Sequence, residues 1–162
     1  MAEPWLREID FGIHPALAQP IFALQQAVED VERCTAGLTD QQIWSSPSGV
    51  TPVGFHMRHM AGSTGRLTTY LRGEALTESQ LAELRQEGFP GMAQEELLNR
   101  IKNAVDEATA VIQGIDPAEL GAARHIGRKL VRTTAIGLAI HIGEHALRHT
   151  GQIVSVCQML RG

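Results

Sequence analysis

Cysteine, aromatic side chains and surplus basic charge are all scarce in this chain of 162 residues. Its two cysteines, Cys34 and Cys157, are too few for a disulfide scaffold and too far apart for a CxxC zinc module, so reduced thiols are expected. Two Trp, one Tyr and four Phe are too few to punctuate the strands of a β sandwich. Lys plus Arg number 14 against 18 Asp plus Glu, a formal net charge of −4, which argues against a nucleic-acid partner held by basic charge. No stretch approaches the roughly 18 to 20 uncharged apolar residues of a membrane span. Glu3, Arg7, Glu8 and Asp10 leave no room for an apolar leader near the start. The expectation is a cytoplasmic protein with neither nucleic acid nor membrane as partner.

What is present points to helices. Hydrophobic residues make up 43% and charged residues 20%, enough for one domain over 1–162 with a real core. Between His14 and Ala36, Leu17, Ile21, Leu24, Val28 and Val31 recur at the spacing of one helical face, with Pro15 in the first turn, Pro20 as a kink and Gly37 as the stop. Thr39 to Trp44 reads as a short helix and Ser45 to Gly49 as a loop. A second long helix is expected over Val53 to Leu71, with His56, Met60, Ser63, Leu67 and Tyr70 in a stripe and His59 beside it. Thr77 to Gln80 is a capping-box pattern opening a small helix to Gln86.

Ala93 to Ile115 carries Leu97, Ile101, Ala104, Ala108, Val111 and Ile115 in register, a third long helix. Pro117 and Gly121 then predict a turn and a loosely structured connection up to Arg132. The last helix is expected from Thr133 or Thr134 to Leu160. On its face Leu138, Ile142, His145, His149, Ile153 and Val156 align, two histidines where leucines would normally stand. A second apolar line, Ile136, Ile140, Leu147 and Val154, predicts a further covered surface, a neighbouring helix or a homodimer partner. The fold class is all-α, four long helices plus short ones packed as a bundle.

Histidine is the compositional outlier, with seven in the chain. His141, His145 and His149 advance only about 80° around the last helix, and His145 and His149 lie one turn apart, the spacing that puts two imidazoles on one metal ion. An HxxxH pair without an HExxH glutamate reads as ordinary core histidine when it stands alone. Here the second long helix offers His56 and His59 across a bundle gap of about 8–10 Å, which turns the reading toward a shared ion. Neutral imidazoles suit zinc, nickel or ferrous iron, and three protein ligands leave an open coordination position. His14 and His125 fall in expected caps or loops, while His56 and His141 are read as pocket lining, outer support or exposed flank. Glu144 is expected on the helix flank and Gln152 one turn beyond His149. Gln25, Glu32 and Asp106 are weighed as outer hydrogen-bond partners, with solvated flank favoured for each. Cys157 is expected in packing.

The runs Gly54-Phe55-His56-Met57-Arg58-His59-Met60-Ala61-Gly62-Ser63 and Glu144-His145-Ala146-Leu147-Arg148-His149-Thr150-Gly151-Gln152-Ile153 resemble the DinB-like family of metal-dependent enzymes, including its YfiT type, over nearly the whole chain. The resemblance implies an up-down four-helix bundle with a three-histidine centre, one ligand from the second long helix and two from the last. Matched position by position, these are His59, His145 and His149; His59 is chosen because it stands before Met60-Ala61-Gly62-Ser63. It further implies a divalent metal ion (Zn, Ni or Fe), a low-molecular-weight thiol as co-substrate in some relatives, and a small-molecule substrate in a thiol-dependent transfer or a hydrolysis. Arg58 and Arg148 are weighed as grips for a carboxylate of a thiol peptide, with a surface position favoured for both. The competing reading is a bundle that binds a metal or small ligand without turnover.

Overall fold

The structure is a computed structural model, and it describes residues 2–162. Its eight regular elements are α1 (Pro15–Thr35), α2 (Asp40–Ile43), α3 (Val53–Leu71), α4 (Glu78–Gln86), α5 (Gln94–Gln113), β1 (Ala123–Ile126), β2 (Val131–Thr134) and α6 (Ala135–Arg161), joined by three single-turn 3-10 segments. The long helices α1, α3, α5 and α6 form the bundle. α1 packs on α6 and α5, and α3 packs on the same two, so the order around the bundle is α1, α6, α3, α5. The chain therefore crosses the bundle diagonally from α1 to α3 and again from α5 to α6.

The apolar periodicity is realised as a core of Leu17, Ile21, Leu24 and Val31 from α1, Met57 and Met60 from α3, Leu97, Ile101 and Ile112 from α5, and Leu138, Ile142 and Ile153 from α6. On α5 the buried line drifts to Val105 and Ile112, leaving Ala104 and Val111 at its edge. Thr39, Thr77 and Thr134 start their helices by accepting hydrogen bonds from Gln42, Gln80 and Gly137 backbone N–H groups, and the first two form complete capping boxes. Pro20 sits inside α1, opposite Gly143 of α6, where the two backbones nearly touch. A Cβ at Gly143 would lie 3.0 Å from Pro20 Cα and 3.1 Å from its carbonyl oxygen, atoms that cannot step aside. Gly143→Ala is expected to cost about 1–3 kcal/mol by forcing the helices apart, read as a lower urea midpoint at unchanged slope.

The connection after α5 is more ordered than its composition predicts. β1 and β2 pair antiparallel, Arg124 opposite Thr133 and His125 opposite Arg132, around a turn at Gly127 to Leu130. The run Val131 to Thr134, with three β-branched residues in four, supplies the strand, and Thr134 ends it by capping α6. Arg124 Nε donates to Leu71 O at 2.5 Å, fastening the hairpin to the end of α3. Cys34 and Cys157, distant in sequence, meet as buried free thiols between the C-terminal turns of α1 and α6. Of the second apolar line on α6, Ile136 and Val154 are half-buried while Ile140 and Leu147 are exposed.

Candidate metal centre

α3 and α6 run antiparallel, so that His56 meets His149 and His59 lies against both His145 and His149. Ring centroids are 4.6 Å apart for His59 and His149, 4.7 Å for His145 and His149, and 5.3 Å for His59 and His145. One nitrogen from each of these three rings falls within 4.8 Å of the others, a set able to hold a metal ion. The three half-buried rings sit at the rim of the bundle, where the leucine-like stripe of α6 leaves the core.

The groups behind them fix the rings. His59 Nδ1 lies 2.7 Å from Glu87 Oε2, and a proton on Nδ1 donated to that carboxylate leaves Nε2 with a free lone pair. His149 Nδ1 lies 3.1 Å from Nδ1 of His56, which gives His149 the same kind of support. His145 Nδ1 is buried and has no hydrogen-bond partner, and an orphaned imidazole nitrogen inside a histidine cluster is what a cation would satisfy. Phe55 stacks on His59 with ring planes 9° apart and covers one side of the cluster.

Electrostatics favour the neutral, ligating form. Burial, and then the neighbouring His141 and His59, push the His145 imidazole down to about 4. Burial, and then His59 and His145, push His149 down to about 4 as well, and His56 is lowered mainly by burial. All three bind protons less readily in the fold than in the unfolded chain, whose histidines titrate near 6.5. Metal-free protein should therefore hold its full stability above about pH 6.5 and lose stability as the pH falls toward about 4. Urea titrations of chelated protein across that range check this, and stability that rises on acidification there would contradict it.

Glu87 is the functional residue that sequence reasoning missed. It stands at the C-cap of α4 and is 4% exposed, and its other oxygen accepts from Arg66 Nη1 at 2.6 Å. α4 buries no side chain of its own. Polar ties hold it instead: Gln80 to Thr69 of α3, Glu83 to Arg58 and Arg100, and Glu87 to His59 and Arg66. Gly62 makes room for the last of these, because a Cβ there would lie 2.6 Å from Glu87 Oε1. The one signal in the sequence was Arg66, two turns beyond His59 on the line beside the apolar stripe, where a guanidinium that becomes buried demands a carboxylate.

The remaining candidates separate cleanly. His141 stacks on His145 at 5.7 Å but turns its Nδ1 toward Glu144, outside the three-ring set. Glu144 lies on the exposed flank with Arg148, as expected. Glu32 pairs with Lys102, Asp106 is exposed, and Gln25 makes no hydrogen bond to the histidines. His14 caps α1, whereas His125 is exposed on β1 rather than in a loop. Arg58 is not a surface residue: its side chain is 11% exposed and binds Glu83 and the carbonyl of Phe89.

Two hollows flank the cluster. One, of 630 Å³, is lined by His56, Arg148 and Gln152 together with the Gly49 to Thr51 loop. The other, of 260 Å³, is lined by His145, His141, Ser63, Arg66 and Tyr70.

A sequence model of the family described as the DinB superfamily matches residues 23–153. Among solved structures, a conserved protein from Enterococcus faecalis superposes with a TM-score of 0.76 at 16% identity, over 93% of this chain and 99% of that one. YfiT from Bacillus subtilis, a probable metal-dependent hydrolase with an unusual four-helix bundle topology, superposes with a TM-score of 0.65 at 15% identity, over 93% of this chain and 91% of that one. Curated proteins provide no match.

Proposed function

The chain belongs to the DinB superfamily, and on that footing we propose that it is a metal-dependent enzyme acting on a small molecule, with His59, His145 and His149 as the ligands of one divalent ion. The observation that carries this reading is the convergence of three imidazoles from two helices, one nitrogen of each within 4.8 Å of the others. Zinc, nickel and ferrous iron all suit an all-imidazole set. Bound there, such an ion supplies Lewis acidity at an open position.

The chain's own residues do the rest. Glu87 accepts from the proton-bearing Nδ1 of His59, and Arg66 holds that carboxylate in place by donating to its other oxygen. His56 does the same for His149. Phe55 shields one side of the cluster from water, so a substrate enters through the flanking hollows. Two hollows, one on each side, favour either a hydrolysis or a transfer in which a low-molecular-weight thiol takes one hollow and its electrophile the other. Exposed Ile140 and Leu147 support a homodimer formed along α6.

Elemental analysis of protein purified without an affinity tag is expected to find one divalent ion per chain. Panels of esters and amides, and of electrophiles with cellular thiols, should then show turnover that chelation abolishes and metal restores. Protein that retains no metal, or turnover indifferent to chelator, would overturn the proposal. Stoichiometric metal without turnover on any panel would favour the binding-only alternative.

A further inference from the structure

The hairpin is the most basic part of an acidic protein. Arg124, His125, Arg128, Lys129 and Arg132 fall within nine residues that contain no carboxylate. Elsewhere most arginines are neutralised: Arg7, Arg33, Arg58, Arg66, Arg72, Arg100 and Arg148 each have a carboxylate partner, while Arg85 and Arg161 have none among the described residues but are isolated in the sequence from other unpaired cations. Among the described residues, Arg128, Lys129 and Arg132 have none within 4.0 Å. Arg124 is held by backbone carbonyls, which leaves its charge in place.

This charge faces a cavity. A groove of 580 Å³ runs under the hairpin, with Tyr70, Leu76 and Leu130 as its apolar walls and His125 and Arg128 as its polar ones. Glu74 is the one carboxylate in the lining, against two arginines, Arg124 and Arg128, and it forms an ion pair with neither. Tyr70 and Leu76 also line the 260 Å³ hollow that reaches His145, so groove and hollow are neighbours along one path from the histidine cluster to the hairpin. Tyr70 stands three turns beyond His59 on α3, about 16 Å along the helix.

We infer that the substrate is an elongated small molecule whose far end carries an anion, a carboxylate or a phosphate, received by Arg128 while its reacting end lies at the histidine cluster. This rests on the reading of His59, His145 and His149 as the metal centre. An apolar stretch of the ligand lies between Tyr70 and Leu76, and Arg128 offers a fork of donors that matches either anion. The unpaired cation thereby selects against neutral molecules of the same shape.

The test uses protein loaded with Co(II), whose visible bands report any ligand that reaches the metal. Acetohydroxamate probes the metal centre alone. The monohydroxamates of sebacic, dodecanedioic and tetradecanedioic acid, a series whose longer members exceed the distance of about 16 Å from His59 to Tyr70, add an anionic far end, and their terminal amides remove its charge without shortening it. The acids are expected to bind about tenfold or more tightly than the amides. Arg128→Ala should erase most of that preference while leaving acetohydroxamate binding unchanged. Lys129→Ala removes the same charge from outside the groove and should keep the preference. A phosphonate-ended analogue decides the anion: tighter binding than the acid assigns a phosphate-bearing substrate, and weaker binding a carboxylate. Equal affinity of acid and amide, with acetohydroxamate still bound, would overturn the inference and spare the metal centre. Silence toward acetohydroxamate would overturn both.

Discussion

Replacing His145 or His149 by alanine is expected to abolish stoichiometric metal retention while leaving a helical protein. Each variant reduces the ligand set from three imidazoles to two, His59 of α3 and a single histidine of α6, one ligand short of the three that a site of this kind needs. The loss in affinity should exceed the roughly 10–100-fold that accompanies removal of an outer hydrogen-bond partner. His56→Ala supplies that smaller benchmark, because it removes only the group behind His149. His141→Ala should retain the ion fully, since its Nδ1 faces Glu144 on the flank. Neither α6 substitution reaches the buried apolar core, as both rings are half-buried at the rim. Elemental analysis and circular dichroism on the same samples check both halves of the statement. Full occupancy in either the His145 or the His149 variant would overturn the ligand assignment.

The second large effect belongs to Glu87. Glu87→Ala leaves the Arg66 guanidinium buried, with its side chain 10% exposed and no carboxylate beside it, which is expected to cost about 3–5 kcal/mol. For a domain of this size that lowers the melting temperature by roughly ten degrees. The same substitution removes the acceptor for His59 Nδ1, so metal affinity should fall by about 10–100-fold. A double variant, Arg66→Met with Glu87→Leu, separates the two roles. Replacing both charges by apolar groups of similar volume should restore most of the stability, because the desolvation cost of the pair disappears with it. It restores no acceptor for His59, so the affinity loss persists. Urea unfolding gives the first quantity and competition with a chromophoric chelator gives the second. Recovery of both in the double variant would show that Glu87 acts through stability alone.

The long helices were legible because each has one partner-facing stripe, and a stripe repeats in sequence. Leu17, Ile21 and Leu24 on α1, or Leu138 and Ile142 on α6, identify their helices without knowledge of any neighbour. The capping boxes at Thr39 and Thr77 were legible for the same reason, as both halves of each motif lie within one turn. The hairpin was not. Its strands are four residues long, with little apolar alternation, and its position depends on Arg124 reaching Leu71, a contact no local pattern encodes. The three clustered histidines were found through their helical spacing and the family resemblance. Glu87 escaped because it lies past the end of a small polar helix and becomes an inward residue only when α4 is laid across α3. Arg58 was misread alike: its burial is the work of the incoming Glu83 and Phe89.

The diagonal passage of the chain across the bundle has its own outcome for the order in which parts of the molecule become usable. His59 belongs to the first half of the sequence, His145 and His149 to the last fifth, and Glu87 to a segment between them that has no core of its own. A nascent or half-folded chain can form α1 and α3, yet it has nothing with which to sequester a cation until α6 has docked. Ion uptake would then serve as a molecular inspection stamp, given only to finished copies.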